Sequence, residues 1–200
     1  MGKTARPRRT QAERREQSRQ AVLDSACRLF GEKGYADTSL EDISADCGLT
    51  IRPVYHYFGN KKSLFEAVVE HTSARIMDTM VTDDDRTPEE ALRDSWRAFL
   101  NLCDDPGFRR VVLVDAPNIL GREKWSESNI YMRASELVGA TQPRANARKK
   151  YRFALQNRVM MGAMAEAALM VAEAENISMA KQEAERLIMT LFSRLGEKSG

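Results

Sequence analysis

At 200 residues, with 42% apolar and 30% charged side chains, the chain is long enough for one or two domains that bury their own cores without disulfides. Cys27, Cys47 and Cys103 are odd in number, lack ligand spacing and each adjoin apolar residues, which reads as buried thiols in a reducing cytosol. No apolar run approaches the about 20 residues of a membrane span, and polar helix rather than an apolar signal core follows the basic N-terminus, so a soluble cytoplasmic protein with no membrane partner is expected.

The net charge of +2 is unevenly spread. Residues 1–19 hold seven Lys or Arg against two Glu, residues 20–80 six basic against nine acidic side chains, and residues 81–200 balance at 18 each. The excess lies in an Arg-rich stretch, "GKTARPRRTQAERR", read as a flexible arm over 1–18 in which Arg6, Arg8 and Arg9 suit a polyanion. A disordered solubilising arm is the plainer reading of the same composition.

From Arg19, the spacing of Val22, Ala26, Leu29 and Phe30 predicts a helix of about four turns that stops near Gly34. "DTSLEDISADCGL" opens a second: Thr38 or Ser39 can cap it, Glu41 or Asp42 can face the free N–H groups of the first turn, and Gly48 ends it. Thr50 then caps a third helix, with Pro53 in its first turn, where an N–H has no intrahelical partner to lose. Val54, Tyr55 and Phe58 form its expected inward side, leaving Arg52, Pro53, His56 and Tyr57 outward. Asn60 caps a fourth and longer helix with Leu64, Val68 and Ile76 facing in.

A polar break at 78–87 precedes Thr87-Pro88, the start of a helix through Trp96, Phe99, Leu100 and Cys103. Residues 108–121 form an apolar segment, read as helix although "RRVVLVD" has β propensity. Residues 123–138 are amphipathic, "GATQPRAN" is a loop, and two long helices over 146–174 and 178–195 close the chain. The expected fold is all-α.

A helix, a Gly-containing turn and a second helix with exposed Arg, His and Tyr form the unit that sets a reading helix in the major groove of DNA, and equally an ordinary helical corner. On the first reading, Arg52 meets base-edge acceptors, while Thr50, Tyr57, Lys61, Lys62 and free helix-start N–H groups suit phosphates.

The stretch from about Gln20 to Glu70, above all "LFGEKGYADTSLEDISADCGLTIRPVYHYFGNKKSLFEAVV", resembles the DNA-binding domain of the TetR family of bacterial transcriptional repressors. Phe30, Gly34, Tyr35, Thr38, Ile43, Gly48, Tyr55, Phe58, Lys61 and Leu64 fit it in identity and register together. The resemblance implies a helix-turn-helix DNA-binding domain over 19–66, and an effector-binding and dimerisation domain over 67–200. It implies that Arg52, Pro53 and His56 face bases, and that Thr38, Ser39, Thr50, Tyr57, Lys61 and Lys62 meet phosphate. Ser44 and Cys47 stand where the family most often has alanine, and Gly59 and Asn60 where it often has Pro and Ser. "DDPGFRRVVLVDAPNILGREKW" also looks like a stretch shared by one subgroup of such regulators.

The expected partners are a near-palindromic double-stranded operator, a second copy of the chain and a largely apolar small-molecule effector. Gly162, Ala163 and Ala165 permit close helix approach, and Leu187, Ile188, Leu191 and Leu195 supply apolar area, so these are the candidate dimer interface. They equally suit one chain's own core. The candidate effector pocket is Trp96, Phe99, Cys103, Phe108, Trp125, Tyr131, Met132, Met160 and Met164, most of which also suit ordinary core. No catalytic residue, metal site or cofactor is expected: of the only two histidines, His56 lies on the candidate DNA surface and His71 on a long helix without a nearby cysteine or carboxylate pair at ligand spacing. A structural or protein-interaction helical bundle is the alternative, and it leaves Arg52 and the 57–62 cluster without a task.

Overall fold

In the computed structural model, which describes residues 10–79, 86–121, 124, 127, 129–140 and 147–197, every regular element is helical. The chain divides into two units, residues 1–68 and 69–200.

The first helix, α1 (Gln11–Lys33), starts eight residues before Arg19, inside the expected flexible arm. Thr10 and Glu13 form a reciprocal capping box: the Glu13 N–H donates to Thr10 Oγ1 at 3.2 Å and the Thr10 N–H to Glu13 Oε2 at 2.7 Å. Residues 11–18 carry no apolar stripe to signal a helix, and the cap and local pairs hold this segment instead. Arg6, Arg8 and Arg9 lie outside the described residues.

Helix α2 (Leu40–Asp46), α3 (Ile51–Phe58) and the start of α4 (Lys61–Thr79) close around α1. Phe30 and Phe65 are fully buried edge to face at 5.2 Å, and Tyr35 meets Phe65 at 5.0 Å. Burying each Phe contributes about 1.5–3 kcal/mol. Val22, Ile43, Val54, Leu64 and Val68 complete this core. Ser25, buried on α1, donates to Asp46 Oδ2 at 2.6 Å, and Arg28 pairs with the same carboxylate, which pins α2 at its C-terminal end.

In the second unit, α5 (Pro88–Leu102) begins with a capping box between Thr87 and Glu90 and with Pro88 at its first position. One turn, α6 (Pro106–Phe108), leads into a π-helix (Arg109–Asp115) and α7 (Ala116–Leu120). The "RRVVLVD" segment is therefore helical but wider than an α-helix. Pro117 has no N–H to return to the preceding turn, and Asn118 Nδ2 donates to the Val114 carbonyl at 2.7 Å. Helix α8 (Asn129–Ala140), α9 (Ala147–Glu173) and α10 (Ile177–Glu197) follow, with Asn176 Oδ1 accepting from the Met179 N–H at the start of α10. Helix α9 packs against α8, α10 and the π-helix, and α5 packs against α8 and α10.

Cys103 is fully buried, and burial pushes its thiol up to about 11. Above the ordinary thiol range the unfolded chain releases this proton first, so folding stability falls between about pH 9 and 11, by on the order of 2 kcal/mol. Urea titrations across that range should show a slope in the native protein that Cys103→Ala lessens. An identical slope in both would remove Cys103 as its source.

Candidate nucleic-acid interface and C-terminal cavity

Ser39, not Thr38, caps α2. Its Oγ accepts from the Asp42 N–H and its own N–H donates to Asp42 Oδ2, both at 3.0 Å, which holds the Asp42 carboxyl below the usual carboxylate range. Thr38 is buried, and its hydroxyl donates to the Gly34 carbonyl at 2.8 Å with the Leu29 carbonyl at 3.2 Å. The expectation that the Thr38 side chain meets phosphate is corrected: the hydroxyl is spent in tying the α1–α2 loop. Ser39→Ala should destabilise the protein by about 1 kcal/mol in thermal unfolding at pH 7. The share of that difference owed to Asp42 is present above the unfolded carboxylate pKa and fades as pH falls through the lower folded value.

The turn into α3 runs through Cys47, Gly48 and Leu49. Gly48 has φ +69°, a conformation that favours glycine. Thr50 then starts α3 with extended backbone and no bond from its side chain into the helix, so its hydroxyl is available outward. Val54 and Phe58, one turn apart, are the buried side of this eight-residue helix. Arg52 and His56, likewise one turn apart, are exposed, while Pro53 and Tyr57 are half-buried. Tyr57 is wedged beside the rings of His56 and Phe58, at 5.4 and 6.4 Å. No acidic residue occurs between Cys47 and Phe65.

Tyr55, expected inward, is 50% exposed. It lies one step round the helix from Val54 and lines a shallow groove with Asp37, Ser39, Glu41, Asp42, Asn60 and Lys61. The groove brings Ser39 and Lys61 together, but the three carboxylates make it a mixed surface rather than a plain anion site. Lys61 is held: its Nζ donates to the Ala36 carbonyl at 3.3 Å and sits 4.4 Å from the Tyr35 ring centroid. Lys62 is exposed. Tyr55 and Asn60 were not singled out as site residues, and nothing in their spacing separates them from core and cap.

The second unit holds a half-open cavity of about 90 Å³. Helix α5 contributes Leu92, Ser95, Trp96 and Phe99, the π-helix Leu113 and α7 Pro117. Helix α8 adds Tyr131, Ala134 and Leu137, and α9 adds Met161, Met164, Ala165 and Ala168. Of the expected pocket residues, Trp96, Phe99, Tyr131 and Met164 are on this wall. Cys103, Phe108 and Met160 are buried and off this wall, Phe108 packing edge to face with Phe99 at 5.8 Å. Met132 is 49% exposed and off the wall. Trp125 lies outside the described residues.

Among the expected interface residues, Ile188 is fully buried in the chain's own core, which corrects that assignment, and Ala165 is exposed at the edge of the cavity. Gly162 is exposed, Ala163 and Leu191 are half-buried, and Leu187 is 55% exposed. The Leu195 side chain lies outside the described residues. A longer apolar stripe, Tyr151, Leu155, Val159 and Gly162, runs along the exposed side of α9 at helical spacing, with exposed Glu166 one turn on and exposed Met170 beyond it.

A helix-turn-helix whose second helix offers Arg52 and His56 on an acid-free face, followed by a larger helical unit with an apolar cavity, defines the class: a DNA-binding regulatory protein. Residues 22–68 match the model for bacterial regulatory proteins of the tetR family, and residues 89–195 that for the Tetracyclin repressor-like C-terminal domain. The chain belongs to the TetR family of bacterial transcriptional regulators, which are not enzymes.

It is similar to the crystal structure of a TetR-family regulator from Pectobacterium atrosepticum, with 31% identity, TM-score 0.65, and coverage of 94% of this chain and 97% of that one. It is 31% identical over 139 residues to the repressor NicS of Pseudomonas putida, covering 66% of this chain and 63% of NicS, so it matches less than two thirds of that relative. RolR, solved with resorcinol, shares the fold at 19% identity and TM-score 0.58, covering 94% of this chain and 95% of RolR. Among the described residues, no cluster of metal-ligating side chains occurs and no helix is long and apolar enough to cross a membrane.

Proposed function

We propose that the protein is a homodimeric repressor that binds a near-palindromic operator and leaves it when a small molecule fills the cavity of the second unit. The observation that carries this is the exposed, acid-free face of α3, with Arg52 and His56 outward and Val54 and Phe58 buried behind them. Arg52 reads bases, with His56 and Pro53 beside it. Thr50, Lys62, Tyr57 and Ser39 position the helix on phosphates, with Lys61 set in place by Tyr35 and Ala36. Arg6, Arg8 and Arg9 add an arm along the duplex.

One eight-residue helix touches too few base pairs for useful selectivity, and a two-fold pair of such helices engages successive major grooves about 34–36 Å apart. The α9 stripe with Leu187 and Leu191 is the surface assigned to that pairing. NicS is named a repressor, and RolR holds a one-ring ligand, which supports the same reading here. The effector acts only through unequal affinity for operator-competent and released states.

Selection of bound fragments from random duplex DNA by the purified protein tests this. A two-fold symmetric consensus is expected. Recovery of unenriched sequence at low salt and at 0.15 M salt alike would defeat the proposal.

A further inference from the structure

We infer that the cavity takes a neutral molecule no bigger than one substituted ring, carrying a hydrogen-bond acceptor for the indole N–H of Trp96. This rests on the reading of the cavity as the effector site and names the ligand's chemistry. Trp96 is 2% exposed, and its Nε1 is buried with no hydrogen-bond partner among the described residues. An indole N–H can only donate, and a buried donor left unmade costs about as much as a lost hydrogen bond. The ring is not placed to swing toward another acceptor, because it stacks on Phe99 at 5.6 Å and 17°, and Phe99 is itself braced edge-on by Phe108. Trp96 is part of the cavity wall and its Nε1 has under 1 Å² of exposed surface, so an acceptor reaches it only from a ligand that displaces neighbouring wall side chains.

The rest of the wall sets size and charge. Among the described residues, none that lines the cavity is charged. An ionised ligand would give up its hydration with no counter-charge, whereas a ketone, ether or ester loses far less. The volume of about 90 Å³ falls below the roughly 150 Å³ of an apolar cavity that holds benzene. Met161 and Met164, unbranched and rotatable, are the wall residues that give way to admit a single ring. The other buried polar atom without a partner among the described residues, Asn157 Oδ1, is not on this wall, and its amide is fixed by donation to Ser135 Oγ at 2.9 Å.

Calorimetric titration of the full-length protein with acetophenone, isopropylbenzene and benzoate tests the inference, since the first two differ in little but the carbonyl. Acetophenone should bind, benzoate should not, and the affinity ratio of acetophenone to isopropylbenzene should fall about tenfold in Trp96→Phe, which keeps a ring and removes the donor. Independently of any variant's folding, the Trp96 indole proton should move downfield with acetophenone and not with isopropylbenzene, its signal told from that of Trp125 by Trp125→Phe. An unchanged ratio with an unmoved indole proton, tighter binding of benzoate, or no binding of either neutral probe overturns the inference. Acetophenone binding with the Trp96 signature but without effect on operator affinity upholds the ligand chemistry and overturns release by this site.

Discussion

Arg52→Ala should lower affinity for the selected operator by about 5- to 150-fold while leaving affinity for random duplex within about threefold, because a base-edge contact is worth about 1–3 kcal/mol of discrimination. The geometry behind this is the division of α3 into a buried pair, Val54 and Phe58, and an exposed pair, Arg52 and His56, one helical turn apart. Removing an exposed side chain leaves the buried pair intact, so the loss reports recognition rather than folding. Lys62→Ala is the contrast. An exposed ammonium beside the helix start contributes charge without base selectivity, so both duplexes should weaken alike and the salt dependence should drop by about one counterion. Lys61→Ala is a poorer probe, since it also removes the contact with Tyr35 and the bond to Ala36. Fluorescence anisotropy on both duplexes across a salt series separates the outcomes. Equal loss on operator and random DNA for Arg52→Ala would mean that Arg52 is a phosphate contact, and the reading face would have to be sought elsewhere on α3.

The helical nature of the chain and the start of α3 were legible because each rests on local chemistry. Pro53 makes sense only in a first turn, and Gly48 only in a turn with positive φ. The first two turns of α1 were missed for a physical reason: "QAERREQS" buries almost nothing, so periodicity is silent, and the reciprocal cap of Thr10 and Glu13 was the signal present. Thr38 shows the opposite limit. A hydroxyl before a helix reads as cap or phosphate ligand, and only the three-dimensional loop shows that it faces the Gly34 and Leu29 carbonyls. In the cavity, the large residues Trp96, Phe99, Tyr131 and Met164 could be named in advance. Ala134 and Ala168 could not, because a small residue that opens space for a ligand has the same spacing as one that lets two helices close. Met160 and Met161 differ by one step of about 100°, which places one in the core and the other on the cavity wall.

On the proposed pairing through α9, the paired variant Leu155→Glu with Val159→Glu should be a folded monomer and bind operator more than about 100-fold more weakly, since the second reader no longer acts at high effective concentration. Leu155 and Val159 are 64% and 57% exposed, one turn apart on α9, so glutamates there cost the isolated protomer little. The same charges set face to face across a two-fold interface are desolvated and repel. Met132→Glu, at an exposed position on α8, should leave the mass in solution unchanged. Sedimentation equilibrium gives the mass, and thermal unfolding shows that the protomer survives. A dimer that persists in the paired variant moves the interface off this stripe. Gly162 sharpens the test, because a Cβ there meets nothing within 4 Å in its own chain. Alanine in mid-helix stabilises an isolated protomer by about 0.5–1 kcal/mol relative to glycine. Weaker dimerisation in Gly162→Ala, against that gain, therefore has to come from a partner helix lying close over the α9 backbone.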